Sequence, residues 1–156
     1  MRYRIAEIIC IAALAVFIAF TVADGRGTDK TSAQIAAEIM SDGMFDGLIQ
    51  RDGRYLKNKS GIDPEQLEDF VFYSSDDVMN VDALLVIKTN EKSDTDALSE
   101  AAHKYVSDAV TVFDGYGDEQ TARLKNCLIK QKGNCFIFAV CGDTEGVRNL
   151  FEKAAG

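Results

Sequence analysis

His103 is the one histidine of this 156-residue chain, and a His-dependent triad would need it beside a nucleophile and an orienting acid in a cleft. It falls between Ala102 and Tyr105, on the flank of a helical pattern away from the apolar stripe, where a surface histidine is expected. Zinc chemistry meets the same shortage. Cys127, Cys135 and Cys141 lack CxxC spacing, and one distant imidazole does not complete a four-ligand site. In a hairpin turning at Gly133, partner numbers sum to about 265, which sets Cys127 near Phe138 and Cys135 near Lys130 and disfavours a Cys127 to Cys135 disulfide. All three read as small apolar strand residues, with one free reactive thiol as the alternative.

Oxygen ligands gather twice, at Asp76, Asp77, Asn80 and Asp82 and again at Asp94 and Asp96. Neither group has the alternating ligands, central glycine and final glutamate of an EF-hand loop. Turn and cap duties account for them. The run Asp114-Gly115-Tyr116-Gly117-Asp118 has no phosphate-binding lysine and does not follow a strand, so it matches neither nucleotide fingerprint. Two glycines expose backbone there and one aromatic offers a contact surface. Gly115, Tyr116, Gly117, Glu119 and Gln120 are therefore the first candidate for a partner-binding loop. No catalytic, cofactor-binding or metal-ligating residue is assigned, and no cofactor is expected.

The elements that must position these residues follow from periodicity. Thr31 or Ser32 can cap a helix carrying Ile35, Ala36, Ile39 and Met40, which Gly43 ends or weakens before Met44, Phe45, Leu48 and Ile49. Asp63-Pro64-Glu65-Gln66 opens a short helix through Asp69. Strands are expected over 70–74 and 83–88, then a long helix from Asp94 whose stripe runs from Ala97 and Leu98 through Tyr105 to Phe113. The loop DGYGDEQ leads to a second strand pair, 126–131 and 135–141, joined at Lys132-Gly133-Asn134. A last helix has Asp143 as its cap and Val147, Leu150, Phe151 and Ala154 on one face.

The predicted fold class is α+β, a four-stranded antiparallel sheet from two ββα units with helices packed on it, plus an N-terminal membrane helix. ALLVI and FIFAV are apolar without alternation, so each second strand should lie centrally and the others at the edges. The two long helices should cover one face and the Ile35 helix the other.

From Ile8 to Ala23 the chain holds no charge, and about nineteen mainly apolar residues from Ile5 approach the thickness of a bilayer core. Arg2 and Arg4 precede this segment, whereas Asp24, Arg26, Asp29 and Lys30 cancel after it, which places the N-terminus in the cytoplasm. Residues 1–23 thus read as a signal-anchor, or as a signal peptide cleaved near Thr21-Val22-Ala23. Residues 24–31 read as a spacer and 32–156 as an exported domain. The whole chain carries a net charge of -8, and the part beyond the apolar segment about -9. Nucleic acid or an anionic lipid surface is therefore not expected as its main partner.

KSGIDPEQLEDFVFY at 59–73, DALLVIK, and FDGYGDEQTARLKNCLIKQKGNCFIFAVCGD at 113–143 resemble the bacterial domain of unknown function 4358 family, small exported or lipid-anchored proteins mainly of Gram-positive anaerobes. The resemblance spans about residues 32 to 154. It rests on Gly61-Ile62-Asp63-Pro64, on Gly115-Tyr116-Gly117 with Glu119-Gln120, and on Leu124-Lys125-Asn126 leading to the Gly133-Asn134 turn. No cysteine follows the apolar segment here, a departure from the lipoprotein form. The resemblance implies no activity and no catalytic residues. Two functions compete: a non-enzymatic, membrane-tethered interaction or accessory module of the cell envelope, held through residues 5–23 and meeting an envelope protein, and a carboxylate-dependent envelope hydrolase.

Overall fold

The computed structural model describes residues 27–90 and 93–156, so the apolar segment of residues 5–23 lies outside the described residues. Among the described residues no helix is long and apolar enough to cross a membrane. Helix α1 (Ser32–Met40) starts at a capping box in which Thr31 Oγ accepts from the Gln34 amide and Gln34 Oε1 accepts from the Thr31 amide. Strand β1 (Ile49–Arg51) and helix α2 (Gly53–Ser60) follow, then a single 3-10 turn at Pro64–Gln66. The hairpin of β2 (Asp69–Ser74) and β3 (Ala83–Lys88) leads into the long helix α3 (Thr95–Val112). Helix α4 (Asp118–Lys125), the hairpin of β4 (Leu128–Lys132) and β5 (Cys135–Val140), and helix α5 (Thr144–Ala154) complete the chain.

The strands form one antiparallel sheet in the order β1-β2-β3-β5-β4. The uniformly apolar β3 and β5 are neighbours at its centre, Leu84 facing Ala139 and Leu85 facing Phe138. Five strands replace the expected four. The extra one, β1, is three residues long with Gln50 and Arg51 in it, too short and polar to show alternation, yet it pairs Gln50 with Tyr73 and so moves β2 off the edge.

Alternate residues of β2, β3, β4 and β5 enter two separate cores. On one face Val71, Leu84, Val86, Ile137 and Ala139 pack with Ile35 and Ile39 of α1 and with Val147 and Phe151 of α5. On the other, Phe72, Leu85, Ile87, Phe136 and Phe138 pack with Leu56 of α2, Leu98 and Ala102 of α3, and Leu124 of α4. The two long helices, α3 and α5, therefore lie on opposite faces, not together. A strand that is apolar on both sides demands cover without saying which helix supplies it. The placement also bears on the two ββα units. Exchanging antiparallel β3 and β5 by a twofold axis normal to the sheet would keep both following helices on one face.

Three boundaries differ from the pattern reading. The helix after Pro64 is only the 3-10 turn, because β2 already begins at Asp69. The segment leading to β4 is a helix to Lys125, carrying one buried residue, Leu124, and so little periodic signal. The β4 to β5 turn is Gly133-Asn134 alone, with Gly133 at φ 54, so Cys135 faces Lys132 where Lys130 was expected.

Candidate functional site

The eight-residue connection between β2 and β3, Ser75 to Asp82, is built from short polar turns. Ser75 Oγ accepts from the Asp77 amide, Asp77 Oδ1 from the Met79 amide, and Asn80 Oδ1 from the Asp82 amide. Two arginines clamp it from either side. Arg51 Nε donates to Ser74 Oγ at 2.8 Å, and Arg51 Nη2 donates to the Ser75 carbonyl at 2.9 Å and to Asp76 Oδ1. The Asp76 hydrogen bond pushes the Arg51 guanidinium up from its ordinary value. The same guanidinium lies 4.7 Å from the centre of the Tyr55 ring. On the far side Arg123 Nη1 donates to Asp82 and Arg123 Nη2 to Glu119, while Gln120 Nε2 donates to the Met79 carbonyl.

Between this connection, α2 and the C-terminal half of α3 opens a cleft of about 450 Å³. Tyr55, Tyr105, Val81, Val112 and Phe113 supply its apolar wall, and Arg51, Asp76, Asp77 and Asp108 its charges. Tyr105 meets Phe138 edge-on at 5.4 Å, and burial pushes its hydroxyl above the ordinary tyrosine range. The rim is apolar and exposed. Val78, Val112 and Tyr116 keep 84%, 62% and 64% of their surface, and Met79 is also exposed. Of the exposed large hydrophobic side chains among the described residues, Val78 and Val112 line this cleft, Tyr116 packs on its Phe113 wall, Met79 lines the neighbouring hollow with Gln120 and Arg123, and Ile49 lies on β1.

The loop singled out from the sequence borders this cleft but does not line it. Gly115 takes φ 84, and a Cβ on Gly117 would stand 2.7 Å from Phe113 Cδ1, so both glycines allow the chain to fold tightly over Phe113. Tyr116 stacks obliquely against Phe113 at 5.9 Å between ring centres. Glu119 and Gln120 turn to Arg123 and Met79 and hold the β2 to β3 connection from behind. Sequence reasoning missed the residues that make the cleft itself, Arg51, Tyr55, Tyr105 and Val112. The exposed apolar pair Val78-Met79 inside SDDVMNVD was the available signal.

The other residues with chemical potential are dispersed. His103 is exposed on α3. Asp94 caps α3, accepting from the Asp96 and Ala97 amides. Among the described residues no group of three His, Cys, Asp or Glu side chains is arranged to hold a metal ion. Cys127, Cys135 and Cys141 are free thiols. Cys127 belongs to one core and Cys135 and Cys141 to the other, so the sheet separates Cys127 from both. Burial raises all three thiols, Cys141 to about 11.

The family model described as a domain of unknown function (DUF4358) matches residues 41–141. The chain belongs to that family. In this DUF4358 chain the matched stretch holds all five strands and helices α2, α3 and α4, hence the whole cleft. Helices α1 and α5, which together cover the opposite face, fall outside it. No significant match is found among curated proteins or among solved structures.

Proposed function

We propose that this DUF4358 chain is a membrane-tethered, extracytoplasmic module without catalytic activity of its own, which docks an envelope protein at the cleft beside the β2 to β3 connection. The observation that carries the docking is that Val78 and Val112, both strongly exposed, line one cleft, with exposed Tyr116 packed on its Phe113 wall, since exposed apolar surface gathered at a cleft marks interaction sites. Tethering rests on the uncharged run from Ile8 to Ala23 behind Arg2 and Arg4. The geometry is compatible with it. Thr28, where the chain arrives from that run, donates its amide to Asn134 Oδ1 at the β4 to β5 turn. That turn lies at the other end of the strands from the cleft, so an anchor there leaves the cleft facing away, roughly 17–20 Å out along six-residue strands.

The hydrolase reading has less behind it. Asp76 is bound by Arg51, Asp108 by Lys104, and Asp77 by the Met79 amide, so each carboxylate of the cleft already has a structural partner. The test is a photo-crosslinking residue in place of Val112 in the full chain, in its native cells. A discrete adduct that Val78→Asp abolishes supports docking. Adducts no more abundant than those from the same residue placed at Lys125 would end that reading. Protease added to intact cells should remove the domain; survival beside a digested exterior control would end the export reading.

A further inference from the structure

Asn134 joins three segments that are distant along the chain. Its carbonyl accepts from the Thr89 amide at 2.8 Å and from the Thr89 hydroxyl at 3.1 Å, which fixes the β4 to β5 turn against the end of β3. Its side chain holds the incoming chain. Asn134 Oδ1 accepts from the Thr28 amide at 2.9 Å and Nδ2 donates to the Thr28 carbonyl at 3.4 Å, so one carboxamide pairs with both backbone groups of Thr28, as a neighbouring strand would. Gly27 makes room for this contact. A Cβ there would stand 2.5 Å from Asn134 Cγ, so a side chain at position 27 forces the carboxamide away from Thr28. The contact is superficial: Gly27 is exposed, Thr28 is half-buried, and neither belongs to a core. Further along, the chain is next held by the exposed Lys30 to Glu38 ion pair and by the Ser32 amide, which donates to Asp69 Oδ2 at 2.8 Å.

Resting on the tethering reading above, we propose that Gly27, Thr28 and Asn134 form a latch that sets how far from the membrane, and in which direction, the cleft is presented. Closed, it leaves only residues 24–27 between the apolar run and the fold, a reach of at most about 14 Å. The β4 to β5 turn is then held beside the bilayer and the cleft at the opposite end of the strands points outward. Open, the free chain extends through residues 24–31, a reach of up to about 28 Å, and the domain turns about it. Opening breaks two hydrogen bonds near solvent and leaves both cores intact, so it is a local event that does not require unfolding.

The test places the full chain in zwitterionic lipid nanodiscs doped with a gadolinium-chelating lipid and reads paramagnetic relaxation at the Gly133 and Val78 amides. Relaxation several-fold stronger at Gly133 is expected. Gly27→Val and Asn134→Ala should each bring the two amides towards equality and speed exchange of the Thr28 amide. Asn134→Asp keeps the acceptor for that amide and should retain most of the difference. Gly27→Val leaves the hairpin untouched, so the latch stays testable even where Asn134→Ala disturbs the turn. Equal relaxation at the two amides of the nanodisc-bound wild-type chain, an unchanged ratio in Gly27→Val, or an Asn134→Asp protein as level as Asn134→Ala would overturn the latch alone. A chain that does not associate with the nanodiscs would remove the tethering reading and the latch with it.

Discussion

Arg51 Nε lies 2.8 Å from Ser74 Oγ, joining the short edge strand β1 to the last residue of β2 at the point where the cleft-forming connection leaves the sheet. With the bonds to the Ser75 carbonyl and Asp76, one guanidinium holds the start of that connection. Arg51→Met keeps the aliphatic stem and removes every donor. It is expected to cost about 2 kcal/mol and to speed amide exchange at Asp77 and Met79. Arg51→Lys should recover only part, because an ammonium cannot reproduce the planar fork. Native-state hydrogen exchange and urea titration measure both effects. Unchanged exchange at Asp77 and Met79 in Arg51→Met would show that the connection stands without the clamp.

The three described thiols should separate by burial. Cys135 and Cys141 are closed to solvent and Cys127 is half-buried. In native protein an aromatic disulfide reagent should modify Cys127 slowly and leave the other two intact; in denaturant all three should react. Peptide mapping after timed labelling gives the order, and early labelling of Cys141 would contradict the packing.

Alkaline stability follows from the same burial. Cys141 holds its proton to about 11 in the fold, against an unfolded value of about 8.5. Between these values the unfolded chain binds fewer protons than the native one, so stability falls as pH rises. The contribution is complete below about pH 8.5 and is lost towards pH 11, on the order of 3 kcal/mol. Cys141→Ser should flatten that part of the profile. An equally steep decline in the variant would assign it to other groups.

Three glycines should differ in sign. Gly117→Ala forces Phe113 to move and is expected to cost about 1–3 kcal/mol. Gly115→Ala loses about 1 kcal/mol to its left-handed backbone. Gly142 has open space at its Cβ position and no positive φ, so Gly142→Ala should be neutral or stabilise by up to about 1 kcal/mol. Denaturation midpoints rank them, and a costly Gly142→Ala would mean a constraint that the structure does not contain.

Helix α1 lies outside the family match yet carries Ile35 and Ile39, both fully buried against α5 and the sheet. Ile35→Ala should therefore cost about 2–4 kcal/mol, as a core truncation does, and Thr31→Ala about 1 kcal/mol through loss of the capping box. Thermal melts of the two variants test whether α1 belongs to the cooperative unit. A loss below 1 kcal/mol for Ile35→Ala would make it a detachable appendage.

By itself the sequence determined what depends on neighbours along the chain. Asp63, Asp94 and Asp143, and one of Thr31 and Ser32, mark helix starts because a short oxygen-bearing side chain satisfies nearby amides; the structure selects Thr31 and shows the other three in that role. ALLVI and FIFAV determined two central strands because only a two-sided core tolerates unbroken apolar runs.

Tertiary structure alone decided what depends on contacts between distant segments. β1 exists because Gln50 finds Tyr73, and α2 and α4 are fixed with one buried anchor each, Leu56 and Leu124, too few to leave a period. The same holds for the cleft, where Arg51, Tyr105 and the Val78 rim come from segments dozens of residues apart. The division of α3 and α5 between the two faces was likewise invisible, since burial on both sides of a strand carries no preference for one.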